Sequence, residues 1–115
     1  MTTPIVFFDI AGPDLGGQSA FYREVFDWDI APDGRVTVPV VGPLPGTLRQ
    51  DPADKLLYLG VPDVTATLAQ IVAHGGSVDV PRFEAPGVVV LGLFRDPAGN
   101  RMGLVEMDGE RPKIP

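Results

Sequence analysis

Cysteine is absent from this chain, which excludes a disulfide framework and any thiolate metal site. Histidine occurs once, at His74, in the last turn of a helical segment, where a surface imidazole sits favourably against the helix dipole. Basic residues are few, nine against fifteen acidic ones, and they form no Lys/Arg cluster. The resulting charge of −6 argues against nucleic acid and anionic membrane surfaces as partners. Long apolar runs are missing too. The start, MTTPIVFFDI, lacks the basic residues and extended apolar core of a secretory signal and is too short to cross a bilayer. A soluble, cytoplasmic protein is the expectation.

What is present suits one domain with a real core. The chain has 115 residues, 44% of them apolar and 21% charged, a globular composition. Fourteen glycines and thirteen prolines would suggest disorder in a polar chain; in this apolar one they read as turn punctuation between strands.

The pattern runs through the chain twice. Ile5 to Ile10 reads as a strand, and the segment from about Asp14 to Phe26 as a helix with Phe21, Tyr22, Val25 and Phe26 on one face. DWDIAPDGRVTVPV reads as a hairpin turning at Asp33-Gly34. VGPLPGTLRQ follows, restricted by its prolines to a short or edge strand. Lys55 to Val61 is then a strand, and Asp63 caps a helix with Val64, Leu68, Ile71 and Val72 on one face, ended by Gly75-Gly76. Ser77–Val80, Gly87–Phe94 and Arg101–Met107 complete the set, the last two joined by a turn at Pro97, Gly99 and Asn100. Each half is strand, helix, three strands. The two helix starts, Asp14-Leu15 and Asp63-Val64, lie 49 residues apart, which points to a duplicated unit. The last eight residues, DGERPKIP, read as a loosely held tail.

Strand alternation assigns faces. The apolar sets Val6/Phe8/Ile10 and Leu57/Leu59/Val61 should meet the helices. The mixed sets Ile5/Phe7/Asp9 and Leu56/Tyr58/Gly60 point the other way, where a ligand could sit. Gly60 and Gly103, without side chains, should leave a hollow there. Trp28, Tyr22, Phe21 and Phe26 read as core aromatics; Asp27 and Asp29, on either side of Trp28, read as solvated. Arg82 and Phe83 fall on a connection after Pro81 that could border the cavity.

The segments FFDIAGPD, SAFYREVFDWDI, YLGVPDVTATLAQIVAHGGSV and FRDPAGNRMGLVE together resemble the vicinal oxygen chelate superfamily, the glyoxalase, bleomycin-resistance and extradiol-dioxygenase group. The resemblance runs from Ile5 to about Met107. It implies an α+β fold of two βαβββ modules forming curled mixed sheets around a shared cavity, commonly in a homodimer. One domain is then expected over 1–107, with module one at about 4–50 and module two at about 55–107, and a tail at 108–115. The cavity is formed either within one chain or by exchange between two.

Metal-using members of that superfamily take ligands from the first and last strands of each module, where a divalent ion acts as a Lewis acid. Carried over by position, these places fall on Phe7, on or near Leu56, on Gly103 and within Leu44–Arg49, none of which offers an imidazole or carboxylate. The expectation is therefore no metal and no cofactor. A small-molecule ligand would instead meet Phe7, Asp9, Arg49, Leu56, Tyr58, Arg101 and Gly103. Asp9 and Tyr58 are the candidate catalytic groups and Arg49 and Arg101 the anion anchors. Against that stands the plainer reading, in which Asp9 forms a structural ion pair with an arginine and Tyr58 is a core aromatic. Three functions stay open: a metal-free module binding a small planar or apolar molecule; an enzyme of lyase, isomerase or dioxygenase type, with or without metal; and an interaction protein, for which the segment VGPLPGTL offers an edge.

Overall fold

Two stretches of this chain each run strand, helix and then further strands, two in the first and four in the second. The computed structural model describes residues 2–40 and 42–115; at positions 21, 26, 39, 40, 42 and 43 only the backbone is described. The chain divides into two compact units, Phe7–Leu57 and Tyr58–Pro115, the latter including the residues through Val6.

The first unit is built from β1 (Ile5–Gly12), α1 (Leu15–Phe26), β2 (Arg35–Val40) and β3 (Gly42–Gln50), in the sheet order β2-β3-β1. β3 runs parallel to β1 and antiparallel to β2. The expected strand before the Asp33-Gly34 turn is reduced to one bridge, Ile30 to Val36. The second unit contains β4 (Asp54–Val61), α2 (Val64–Ala73), β5 (Ser77–Ala85), β6 (Val89–Arg95), β7 (Arg101–Asp108) and the short β8 (Arg111–Pro112). Its order is β4-β7-β6-β5, with β8 on β7. In both units the first strand lies parallel to the last. A parallel pair cannot be closed by a tight turn, so a helix and the remaining strands must supply the crossover. The architecture is α+β.

Local chemistry sets the element ends. The Asp14 and Asp63 side chains accept the N–H of Gly17 at 3.1 Å and of Ala66 at 3.0 Å, so both helices begin on an aspartate cap. α1 ends with Asp27 left-handed at φ 58°, and α2 passes through His74 to Gly75 at φ 96°. Gly34 is required twice over: its φ is 92°, and a Cβ there would collide with the Leu48 carbonyl oxygen.

In the first unit Ile30, Val36 and Leu48 form the core, with Phe8, Ile10, Leu15, Tyr22 and Trp28 packed on it. Trp28 stacks on Tyr22 at 4.7 Å between ring centroids and meets Phe8 edge-on at 6.0 Å. The core places given to Phe21 and Phe26 lie outside the described side chains. In the second unit Val61, Val64, Leu68, Phe94 and Leu104 form the core, joined by Leu59, Ile71 and Met102. The face assignment of β1 and β4 thus places Phe8, Ile10, Leu59 and Val61 against helices.

Several expectations need correction. Leu57, Val25 and Val72 are exposed rather than packed in the core. β3 is an interior strand of nine residues rather than a short edge. Its prolines are tolerated because pairing with β1 begins only at Gly46, so Pro43 and Pro45 have a partner on the β2 side alone. β5 continues through Pro81 to Ala85, so Arg82 and Phe83 are strand residues and not a connection. It is the edge of its sheet and shifts register on both sides of Val80, which accommodates a residue without an N–H. At the β6–β7 turn only Gly99 takes positive φ; Asp96 organises it, accepting from the Ala98 and Asn100 backbone and the Asn100 amide, and the Asn100 hydrogen bonds hold its carboxyl below the usual range. Arg111 and Pro112 pair with Asp108 and Met107 as β8.

Candidate functional site

The face of β1 turned away from the core cluster carries Asp9, and the facing side of β3 carries Arg49. Parallel pairing sets Asp9 against Thr47 and Ala11 against Arg49, so the guanidinium reaches back two residues along β1. Its Nε donates to Asp9 Oδ1 at 2.6 Å and its Nη1 to Asp51 Oδ2 at 2.7 Å. Asp9 is 4% exposed. Burial, the largest influence, raises its carboxyl above the usual range, and the Arg49 hydrogen bond and charge pull it back only in part. Arg49 is itself opposed by burial, yet its bonds to Asp51 and Asp9 carry it above its ordinary value. The expected anion anchor is thus a bridge between two carboxylates. Phe7 is half-buried on the same face and Leu56 is buried.

In the second unit Tyr58 lies directly opposite Gly103 on parallel β4 and β7. A Cβ at Gly103 would come within 2.4 Å of the Tyr58 ring, and one at Gly60 would meet Val6 at 2.8 Å and Met107 at 2.9 Å. The hollow expected at these glycines is therefore filled: each lacks a side chain because a neighbour occupies the space. Arg101 donates from Nε to Asp79 at 2.8 Å, so this second expected anchor is also paired. His74 is exposed and donates from Nδ1 to the Gln70 carbonyl at 2.8 Å, a helix-end contact.

Asp9, Arg49, Phe7 and Leu56 thus belong to the first unit, Tyr58, Arg101 and Gly103 to the second. The donor set for a divalent ion is poor. Phe7, Leu56 and Gly103 carry no lone pair, and Asp9 and Asp51 are committed to one guanidinium. Among the described residues no group of three or more His, Asp or Glu converges as a metal site, and no buried side-chain N or O lacks a hydrogen-bond partner.

One residue went unnoticed in the sequence: Glu106, 5% exposed. Its signal was an acid between Val105 and Met107 in an otherwise apolar strand, a place that demands a cation. Arg82 supplies it, through Nε at 3.0 Å and Nη2 at 2.8 Å.

Residues 5–105 match the glyoxalase-like domain family. No curated protein matches the chain by sequence. Among solved structures, a methylmalonyl-CoA epimerase variant from Streptomyces coelicolor in complex with 2-nitronate-propionyl-CoA is 18% identical, with TM-score 0.68 over 98% of this chain and 99% of that one. The methylmalonyl-CoA epimerase of Mycobacterium tuberculosis is 14% identical, TM-score 0.60, over 92% and 89%. A glyoxalase/bleomycin resistance protein/dioxygenase superfamily member from Vibrio splendidus 12B01 is 13% identical, TM-score 0.61, over 91% and 98%. At such identities the likeness is one of fold.

Proposed function

Since this chain belongs to the glyoxalase-like domain family, we propose that it works without the superfamily's divalent ion and binds a small organic molecule, planar or apolar and without strong negative charge. The observation that carries this reading is the exchange at Gly103, where the Tyr58 ring takes the place a metal-binding side chain would need. The pairing of Arg49 and Arg101 with carboxylates supports the ligand class, because an anion would have to displace Asp9, Asp51 or Asp79. The residues proposed for ligand contact are Phe7, Asp9, Arg49 and Leu56 in the first unit and, separately, Tyr58, Arg101 and Gly103 in the second. The protein acts as a cytoplasmic homodimer in this reading.

Thermal-shift titration with a panel of neutral aromatic compounds, metal salts and a chelator tests it. A saturable rise in Tm with a neutral aromatic, and none with Ni, Zn, Mn or Fe, is the expected result. Stoichiometric metal in the purified protein overturns the reading. Light scattering behind size exclusion checks the dimer.

A second reading is favoured by Asp9, a buried carboxyl that burial raises above its ordinary range. It makes the protein a metal-free enzyme that moves a proton at Asp9. Asp9→Asn then abolishes turnover while leaving ligand affinity in place; equal turnover in the variant removes Asp9 from the chemistry.

A further inference from the structure

Glu106 lies on the helix side of β7, away from Gly103, and takes no part in the site proposed above. Three separate pieces of chain converge on its carboxylate. Oε1 accepts the N–H of Val64, the first residue of α2, at 3.0 Å, and Arg82 of edge strand β5 grips both oxygens. Lys113, just beyond β8, brings its Nζ to 3.5 Å from Oε2. The backbone of the same two residues is joined as well, Lys113 N–H donating to the Glu106 carbonyl at 2.9 Å. Glu84 is the other charged group in reach, meeting Arg82 at 3.4 Å from the exposed side.

The first unit holds a weaker counterpart. Gln50, on its last strand, offers Oε1 to the N–H of Leu15, the first residue of α1, at 3.4 Å and exposed. The strand-to-helix tie is therefore common to both units, while the charge and its two cations belong to the second alone.

We propose that Glu106 is an electrostatic latch: one ionised, buried carboxylate that fixes the start of α2, the edge strand β5 and the C-terminal segment together, so that all three loosen when its charge is removed. Edge strands and chain ends are the parts of a domain that open first. A single charged hub behind them couples their opening to one group. The bonds from Arg82, the largest influence, hold the Glu106 carboxyl down at about 2 against the opposing effect of burial. The latch is accordingly closed throughout the neutral range.

Glu106→Gln tests it, since the amide keeps an acceptor for Val64 but loses the charge. Hydrogen exchange followed by NMR should show the amides of Val64, Phe83 and Lys113 exchanging faster together, by roughly tenfold or more, with Leu48 unaffected. The share of acid-induced destabilisation that Glu106 contributes between pH 4.5 and about 2 should be missing from the variant. Unchanged exchange at these three amides, or acceleration at only one of them, overturns the latch. If the variant does not fold, Arg82→Met combined with Lys113→Met reads the same property in reverse. With its cations gone, the Glu106 carboxyl should titrate at higher pH by carbon-13 NMR; a titration that stays in place refutes the proposal.

Discussion

The two units share a topology and differ in how each keeps a buried carboxylate. In Phe7–Leu57 the acid is Asp9, on the first strand and the face away from the helix, held by an arginine that also serves Asp51. In the unit containing Tyr58–Pro115 it is Glu106, on the last strand and the helix face, gripped by an arginine through both oxygens and supported by a backbone N–H. The outcome is opposite in sign: burial prevails at Asp9 and raises its carboxyl, whereas hydrogen bonding prevails at Glu106 and lowers it. Equivalent folds thus tolerate a buried charge in either state, and the count and geometry of donors decide which. Glycines differ in the same way. Gly46 makes room for the Phe8 ring on the helix side of its sheet, and Gly103 makes room for the Tyr58 ring on the other side.

Core truncation should test the equivalence hardest. Leu48 and Leu104 are fully buried on the last strand of each unit, and Leu48→Ala and Leu104→Ala should each cost about 2–5 kcal/mol in urea unfolding. A near-zero loss in either breaks the comparison. Filling a glycine comes next. Gly103→Val should cost about 1–3 kcal/mol, most of it recovered in a Tyr58→Ala background because the ring is the obstacle. A penalty that persists without the ring shows that the backbone, not Tyr58, requires glycine.

Helix caps give a smaller and matched effect. Asp14→Ala and Asp63→Ala should each lower stability by about 1 kcal/mol, since both remove one bond to the first turn. The smallest change is expected at Asp9. Its folded carboxyl lies above the unfolded value, so the folded state holds this proton longer and the contribution is lost as pH rises through the folded pKa. Glu106 has the reverse sign, contributing fully above 4.5 and losing its effect as pH falls to about 2. Asp9→Asn should therefore cost less stability at pH 7 than at pH 3, measured as Tm from pH 3 to 7. A larger loss at neutral pH than at pH 3 would show that the ion pair with Arg49 outweighs burial.

Much of the fold was legible because it is local. The cap at Asp63, the turn at Asp33-Gly34 and the helix stop at Gly75 each follow from one residue's own backbone or side-chain preference. The site was legible only as a set of strand faces. Alternation put Asp9 on the face away from the helix, yet could not say that Arg49 would pair with it there or that Asp51 would share the arginine. It read Gly103 as empty space, since nothing near Gly103 in the chain announces Tyr58.

The amino-acid order by itself determined both helices, most of the strands and the lack of lone pairs at Phe7, Leu56 and Gly103, because these depend on residues within a few positions of one another or on side-chain chemistry alone. Tertiary structure alone decided which ring fills which glycine, which cation meets Glu106 and how far β5 extends past Pro81. Those outcomes depend on register between strands distant in the chain, and register is set by how whole faces pack.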